Sequence, residues 1–167
     1  MRGTNFCFKI GQASILFTAQ TTYVTGSKPL SVMAVDVNGD KKPDIIVASK
    51  GPDSVGVLFN IGNGTFSNQT TYATGNKPLS VVAVDVNGDN KPDIIVANYD
   101  SNNVGVLLNT GNGTFRSQIT YDAGDKPASV VAVDVNNDNT PDIIVANQDS
   151  NNVGVFLSTA VTGNFSG

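Results

Sequence analysis

The segment DVNGDKKPDIIVAS begins at Asp36, DVNGDNKPDIIVAN at Asp85 and DVNNDNTPDIIVAN at Asp134, each 49 residues after the last. A fixed period of this length constrains a fold more than any single residue does. Every copy must build the same supersecondary unit and bury its apolar face on a neighbour. From Thr21 the chain divides into three units, residues 21–69, 70–118 and 119–167. Residues 1–16 form a separate N-terminal segment, and 17–167 make up the repeat region. The second half of each unit repeats too, as DSVGVLFNIGNGTF, SNNVGVLLNTGNGTF and the more divergent SNNVGVFLSTAVTGNF.

The middle unit contains four short β-rich runs punctuated by turn residues. They are LSVVAVDV (79–86), DIIVANY (93–99, entered through Pro92), VGVLLN (104–109) and FRSQITY (115–121). Val and Ile occupy both faces of the first two runs, which predicts strands buried on both sides. The fourth run is more polar, as at a sheet edge. No segment sustains a 3.6-residue apolar period with helix caps. The expected fold class is all-β: β-propeller-type blades of four antiparallel strands, in three repeats of 49 residues.

The phase of the ends adds to this. FTAQTTYVTG (17–26) aligns with FSNQTTYATG (66–75), so the chain opens on an isolated fourth strand and keeps only a remnant of one after VGVFLS. That phase suits ring closure through a shared blade. Three blades fall short of the roughly four to eight of a typical propeller. Three arrangements stay open: part of a longer propeller, a homo-oligomer completing a six-bladed ring, or an open stack.

Composition narrows the function. Charged residues make up 14% of the chain, against roughly 25% in an average soluble domain. The net charge of −4 argues against a nucleic-acid partner, since phosphate binding wants a basic face. No apolar stretch approaches the roughly 20 residues of a membrane span. The N-terminus lacks the pattern of a signal peptide, and Cys7, the only cysteine, rules out an intrachain disulfide.

All 14 acidic residues are Asp, and nine of them fall in the three loops. Side-chain oxygens stand at loop positions 1, 3, 5 and 9: Asp36, Asn38, Asp40 and Asp44; Asp85, Asn87, Asp89 and Asp93; Asp134, Asn136, Asp138 and Asp142. Hard oxygens at alternate positions of a tight turn suit Ca²⁺, about one per repeat, with the carbonyl at position 7 (Lys42, Lys91 or Thr140) completing the shell. Zn²⁺ would want His or Cys, and the loops hold neither. Two carboxylates about 4 Å apart repel by roughly 4 kcal/mol at an effective dielectric near 20. Three in one loop therefore call for a cation. The competing reading is an Asn-Gly hairpin whose Asp and Asn merely satisfy local backbone groups. It accounts for two of the four oxygens and leaves the distal Asp after Pro unexplained. EF-hand and dockerin loops are excluded, because position 12 holds Val47, Val96 or Val145 inside a strand.

VVAVDVNGDNKPDIIVANYDSNNVGVLLNTGNGTF closely resembles the FG-GAP/VCBS repeat of integrin-α-like β-propellers, and the resemblance covers nearly all of residues 17–160. It implies a Ca²⁺ ion in the hairpin between the first and second strands of each blade, at the four oxygens named above. Members usually carry Gly at loop position 6, where this chain has Lys41, Asn90 and Asn139. A positive φ there would strain Lys41, which makes the first site the weakest. The third unit also lacks the GNGTF turn. The resemblance implies an extracellular or cell-surface module that binds an unidentified protein or glycan ligand, or serves as a scaffold.

No catalytic constellation appears: there is no His, and no Ser or Cys has a base beside it, so no enzyme is expected. The recurring Tyr23, Tyr72 and Tyr121 are expected to pack between blades. Lys28, Lys77 and Lys126, each before a proline, are expected to be solvated. Asn63, Asn68, Asn112 and Asn164 fit the glycosylation pattern, but two are the repeat's own turn.

Overall fold

The computed structural model describes residues 19–159. Fifteen strands, and no helix longer than a single 3₁₀ turn at Tyr99–Ser101, make up the described chain. Blade 1 is an antiparallel sheet of β1 (Pro29–Val35), β2 (Asp44–Ser49), β3 (Ser54–Leu58) and β6 (Thr70–Ala73), in that order. A small hairpin of β4 (Asn60–Gly62) and β5 (Thr65–Phe66) stands beside it. Blade 2 repeats the plan with β7 (Pro78–Val84), β8 (Asp93–Asn98), β9 (Asn103–Leu107) and β12 (Ile119–Asp122). Its hairpin is β10 (Asn109–Gly111) and β11 (Thr114–Phe115). Blade 3 has three strands among the described residues: β13 (Pro127–Val133), β14 (Asp142–Asn147) and β15 (Asn152–Phe156). The expected blades of propeller type are therefore present, two of them with all four strands.

The blades stack face to face, and each gap is one apolar cluster. Ile46, Ala48, Val55 and Val57 of blade 1 meet Val81, Ile94 and Phe115 of blade 2. Ile95, Ala97, Val104 and Val106 on the reverse of blade 2 meet Val130 and Val145 of blade 3. Strand alternation sends successive side chains to opposite gaps, which is why DIIVAN carries no polar side until its end. Burial differs from the sequence expectation in one respect. The second and third strands, β8 and β9, are the most buried, whereas β7 is only partly so. The first strand sits at the edge of its sheet, with a neighbour on one side only.

The run at 115–121 is also not one strand. Asn112 and Gly113 at the hairpin tip have φ of 52° and 72°, the pair of positive values that a two-residue primed turn requires. That turn ends the run at Phe115, and the chain rejoins its blade only at Ile119. Asn63 and Gly64 repeat it at 53° and 71°, so turn geometry accounts for the Asn-Gly-Thr sequences.

Phe115 is the wedge between blades. Its ring meets Tyr72 of β6 edge-on at 5.3 Å, and the Tyr72 hydroxyl donates to the Gly113 carbonyl at 3.2 Å. Tyr23 makes the same pair of contacts with Phe66 at 5.3 Å and the Gly64 carbonyl at 3.1 Å. The described part of 17–26 is not a strand, since no described third strand lies beside it. Its tyrosine nonetheless packs as a fourth-strand tyrosine does. The third tyrosine, Tyr121, instead tilts over Phe156 at 6.1 Å. No counterpart of Phe115 stands beside it among the described residues, and a cleft of about 310 Å³ opens there between Val86, Val106, Tyr121 and Ile143. Truncating the wedge should be costly. Phe115→Ala is expected to destabilise by about 3 kcal/mol, read as a lower urea midpoint; a shift under about 0.5 kcal/mol would contradict this packing role.

Candidate metal centre

Each acidic loop joins the first strand of a blade to the second, and its first aspartate builds it. Asp36 Oδ1 accepts from the backbone N–H of Asn38 and Gly39 at 3.2 and 2.7 Å, and Oδ2 accepts from Lys41 at 2.6 Å. Asp85 gathers Asn87, Gly88, Asp89 and Asn90 in the same way, and Asp134 gathers Asn136, Asn137, Asp138 and Asn139. Folding a loop inward onto one carboxylate requires left-handed residues at positions 4 and 6. Gly39, Gly88 and Asn137 have φ of 81°, 77° and 64°, and Lys41, Asn90 and Asn139 have 66°, 62° and 66°. The strain expected at Lys41 is therefore present. A side chain in this region costs roughly 1–2 kcal/mol, so Lys41→Gly is expected to gain about 1 kcal/mol in chemical denaturation. An unchanged or lower midpoint would argue against strain there.

The aspartate at position 9 has a role that sequence reasoning did not reach. Asp44 is fully buried. One of its oxygens accepts from Val37 N–H at 3.1 Å, inside the loop, and the other from Asn60 N–H at 2.8 Å, where the third strand ends. Asp93 repeats the clasp with Val86 and Asn109, and Asp142 with Val135 and Ser158. These carboxylates tie loop, second strand and third strand together. The competing hairpin reading thus explains more of the loop than two oxygens. No sequence signal marks this clasp, because its partners 16 positions later are the backbone N–H groups of Asn60, Asn109 and Ser158, which any residue but proline would supply.

Electrostatics crowds negative charge around two of these clasps. Burial pushes the Asp44 carboxyl up from the usual range, and the charges of Asp40 and Asp36 push it further. Asp93 is raised by burial too, and by Asp89 and Asp85. In each of these two loops the three carboxylates therefore lie within electrostatic reach of one another. Among the described residues no ion pair reaches Asp44 or Asp93. The position-5 residues are paired instead. Lys42 Nζ lies 2.9 Å from Asp40, which its hydrogen bond holds below the usual range, and Lys91 Nζ lies 3.1 Å from Asp89. In the third loop the Thr140 hydroxyl donates to Asp138, lowering it. Asn38, Asn87 and Asn136 give their amide oxygens to the position-5 N–H at 2.9–3.0 Å.

Among the described residues no three acidic side chains stand close enough to form a ready-made cage. The donor types still fit a hard divalent ion: three carboxylates and one amide oxygen per loop, together with a carbonyl from Lys42, Lys91 or Thr140.

Fold and loops together define a blade repeat with an acidic hairpin between its first and second strands. The profile of the FG-GAP-like repeat family matches residues 36–96 and 85–145, more than half of the chain. The chain belongs to that family. Among curated proteins none matches its sequence. Of solved structures, the Photorhabdus luminescens Tc holotoxin pore carrying a TccC3 mutation is similar to it at 18% identity and a TM-score of 0.54, over 81% of this chain. The TcdB2-TccC3 crystal structure is similar at 21% identity and a TM-score of 0.48, over 69% of this chain. The chain spans 6% of the length of each of these. At such identity the first likeness concerns the fold.

Proposed function

We propose that the chain is a calcium-stabilised, non-enzymatic repeat module that works outside the cell, holding a rigid surface toward a protein or glycan. The observation that carries this is the buried clasp. Asp44 and Asp93 are raised by burial and by two neighbouring carboxylates each, and among the described residues no cation stands against either. Ca²⁺ held by Asp85, Asn87, Asp89, Asp93 and the Lys91 carbonyl, and by their equivalents in the other loops, would supply that charge. Kd values of about 10⁻⁴–10⁻³ M, usual for extracellular modules, match calcium levels outside cells.

Lysines 42 and 91 compete with the ion for the position-5 carboxylates, while Thr140 carries no charge. The third loop should therefore bind first and the first loop, with Lys41 strained beside it, last. Equilibrium dialysis with elemental analysis tests the reading: about three Ca²⁺ per chain are expected, falling by one in Asp89→Asn. No stoichiometric metal at millimolar calcium would end it. A glycan array probed with and without chelator would then separate a binding module from a scaffold.

A further inference from the structure

Two contacts recur wherever one blade follows another. The Ser31 hydroxyl accepts from Val81 N–H of the next blade at 3.2 Å, and Ser80 accepts from Val130 N–H at 3.2 Å. Asp53 accepts from Lys77 N–H at 2.7 Å, and Asn102 accepts from Lys126 N–H at 3.0 Å. Between blades 1 and 2, the Asn109 amide also donates back to the Val37 carbonyl at 2.9 Å. Around these polar contacts lie the apolar clusters already described.

Blade 3 carries the acceptor half of this interface with nothing on it among the described residues. Ser129 and Asn151, the repeat equivalents of Ser80 and Asn102, are both exposed. Val153 is 64% exposed, whereas its equivalents Val55 and Val104 are 0% exposed. Val155 and Val131 are open beside it.

The complementary half lies at the other end of the chain. Val32 of β1 is 69% exposed, against 4% for Val81 and 2% for Val130 at the same repeat position. Lys28 has φ of 56°, matching 54° at Lys77 and 56° at Lys126, so its N–H is presented in the same backbone conformation. The open part of blade 1 is this β1 rim, since Val47 and Leu58 behind it are covered.

We propose that a second copy of this chain docks on blade 3 through its own β1 rim, reproducing between copies the interface that the chain makes twice within itself. Ser129 takes the Val32 N–H of the second copy, Asn151 takes the Lys28 N–H, and the Val135 carbonyl receives the Asn60 amide. Such a contact is heterologous, and with two copies it closes on itself when each blade 3 meets the other's blade 1. The occupant is argued from continuity with an interface already present: one molecule displays its acceptor half on blade 3 and the matching strand edge at β1.

Light scattering tests this directly. The purified chain is expected at twice its 17.3 kDa mass. Val153→Asp and Val32→Asp change side chains that are already exposed, so each variant should keep its circular dichroism and melt, yet run as a monomer. Mixing the two should restore the pair, because one intact acceptor face then meets one intact rim. A monomeric parent chain would overturn the proposal and leave the face to a different partner. A pair that survives both substitutions, or variants that stay monomeric when mixed, would also overturn it.

Discussion

Returning about 10 mM calcium to chelator-treated protein is expected to raise its melting temperature by on the order of 20 °C. An ion at one hundred times its Kd stabilises the folded state by about 2.7 kcal/mol per site, and three such sites give about 8 kcal/mol. In a chain of this size each kcal/mol moves the transition by roughly 2–4 °C. The size of the shift follows from where the charge sits. Each loop carries three carboxylates, and in the first two loops the innermost is buried and pressed by the charge of the others. Magnesium should do much less, because it demands a small octahedral shell and gives up water reluctantly. Scanning calorimetry in chelator, magnesium and calcium decides it. Three superimposable melts would show that the loops hold themselves together without an ion.

Asp93→Ala is expected to cost about 3–5 kcal/mol even without calcium. Both oxygens of this fully buried side chain accept backbone N–H groups, Val86 at 3.1 Å and Asn109 at 2.8 Å. Removing the carboxylate strands two buried donors at about 1–3 kcal/mol each and opens a small void. Asp89→Asn makes the contrast, since Asp89 bonds only within its own exposed loop. That variant should lose about a third of the calcium-dependent gain, the share of one site in three, while leaving the metal-free melt within about 0.5 kcal/mol of the parent. Equal losses in the two variants without metal would mean that position 9 is not a clasp. Urea titrations in excess chelator supply the comparison.

Much of this architecture was legible because the repeat supplies its own controls. Three copies of DVNxDxxPDIIVA fix where the loop and the second strand lie, and the alternation of Val and Ile announces two buried faces. Tyr23, Tyr72 and Tyr121 could be assigned to the gaps between blades from their recurrence alone. Features that depend on three-dimensional neighbours were not legible. Periodicity carries no information about sheet order, so the edge position of β7 and its partial exposure were missed. The break in the run at 115–121 comes from a primed turn that pulls Phe115 out of line.

Long-range charge pairing was hidden in the same way. Lys77 and Lys126 are more than solvated turn residues. Lys126 Nζ lies 2.9 Å from Asp100, and Lys77 Nζ lies 4.0 Å from the centre of the Tyr99 ring. Neither partner is near its lysine in sequence. In the loops, the ligand types could be read from spacing, but the second duty of Asp44, Asp93 and Asp142 could not. Their backbone partners stand 16 residues downstream and come close only when the third strand folds back.

Among the described residues no Phe115 counterpart stands beside Tyr121, and this has a dynamic consequence. Blade arrays of this kind share stability between nearest neighbours, and the unit with the weakest contact opens first. Amide protons of β14 and β15 should therefore exchange with deuterium well before those of β8 and β9. The molecule would come apart as a zip opened from one end, with its middle blade surrendering last.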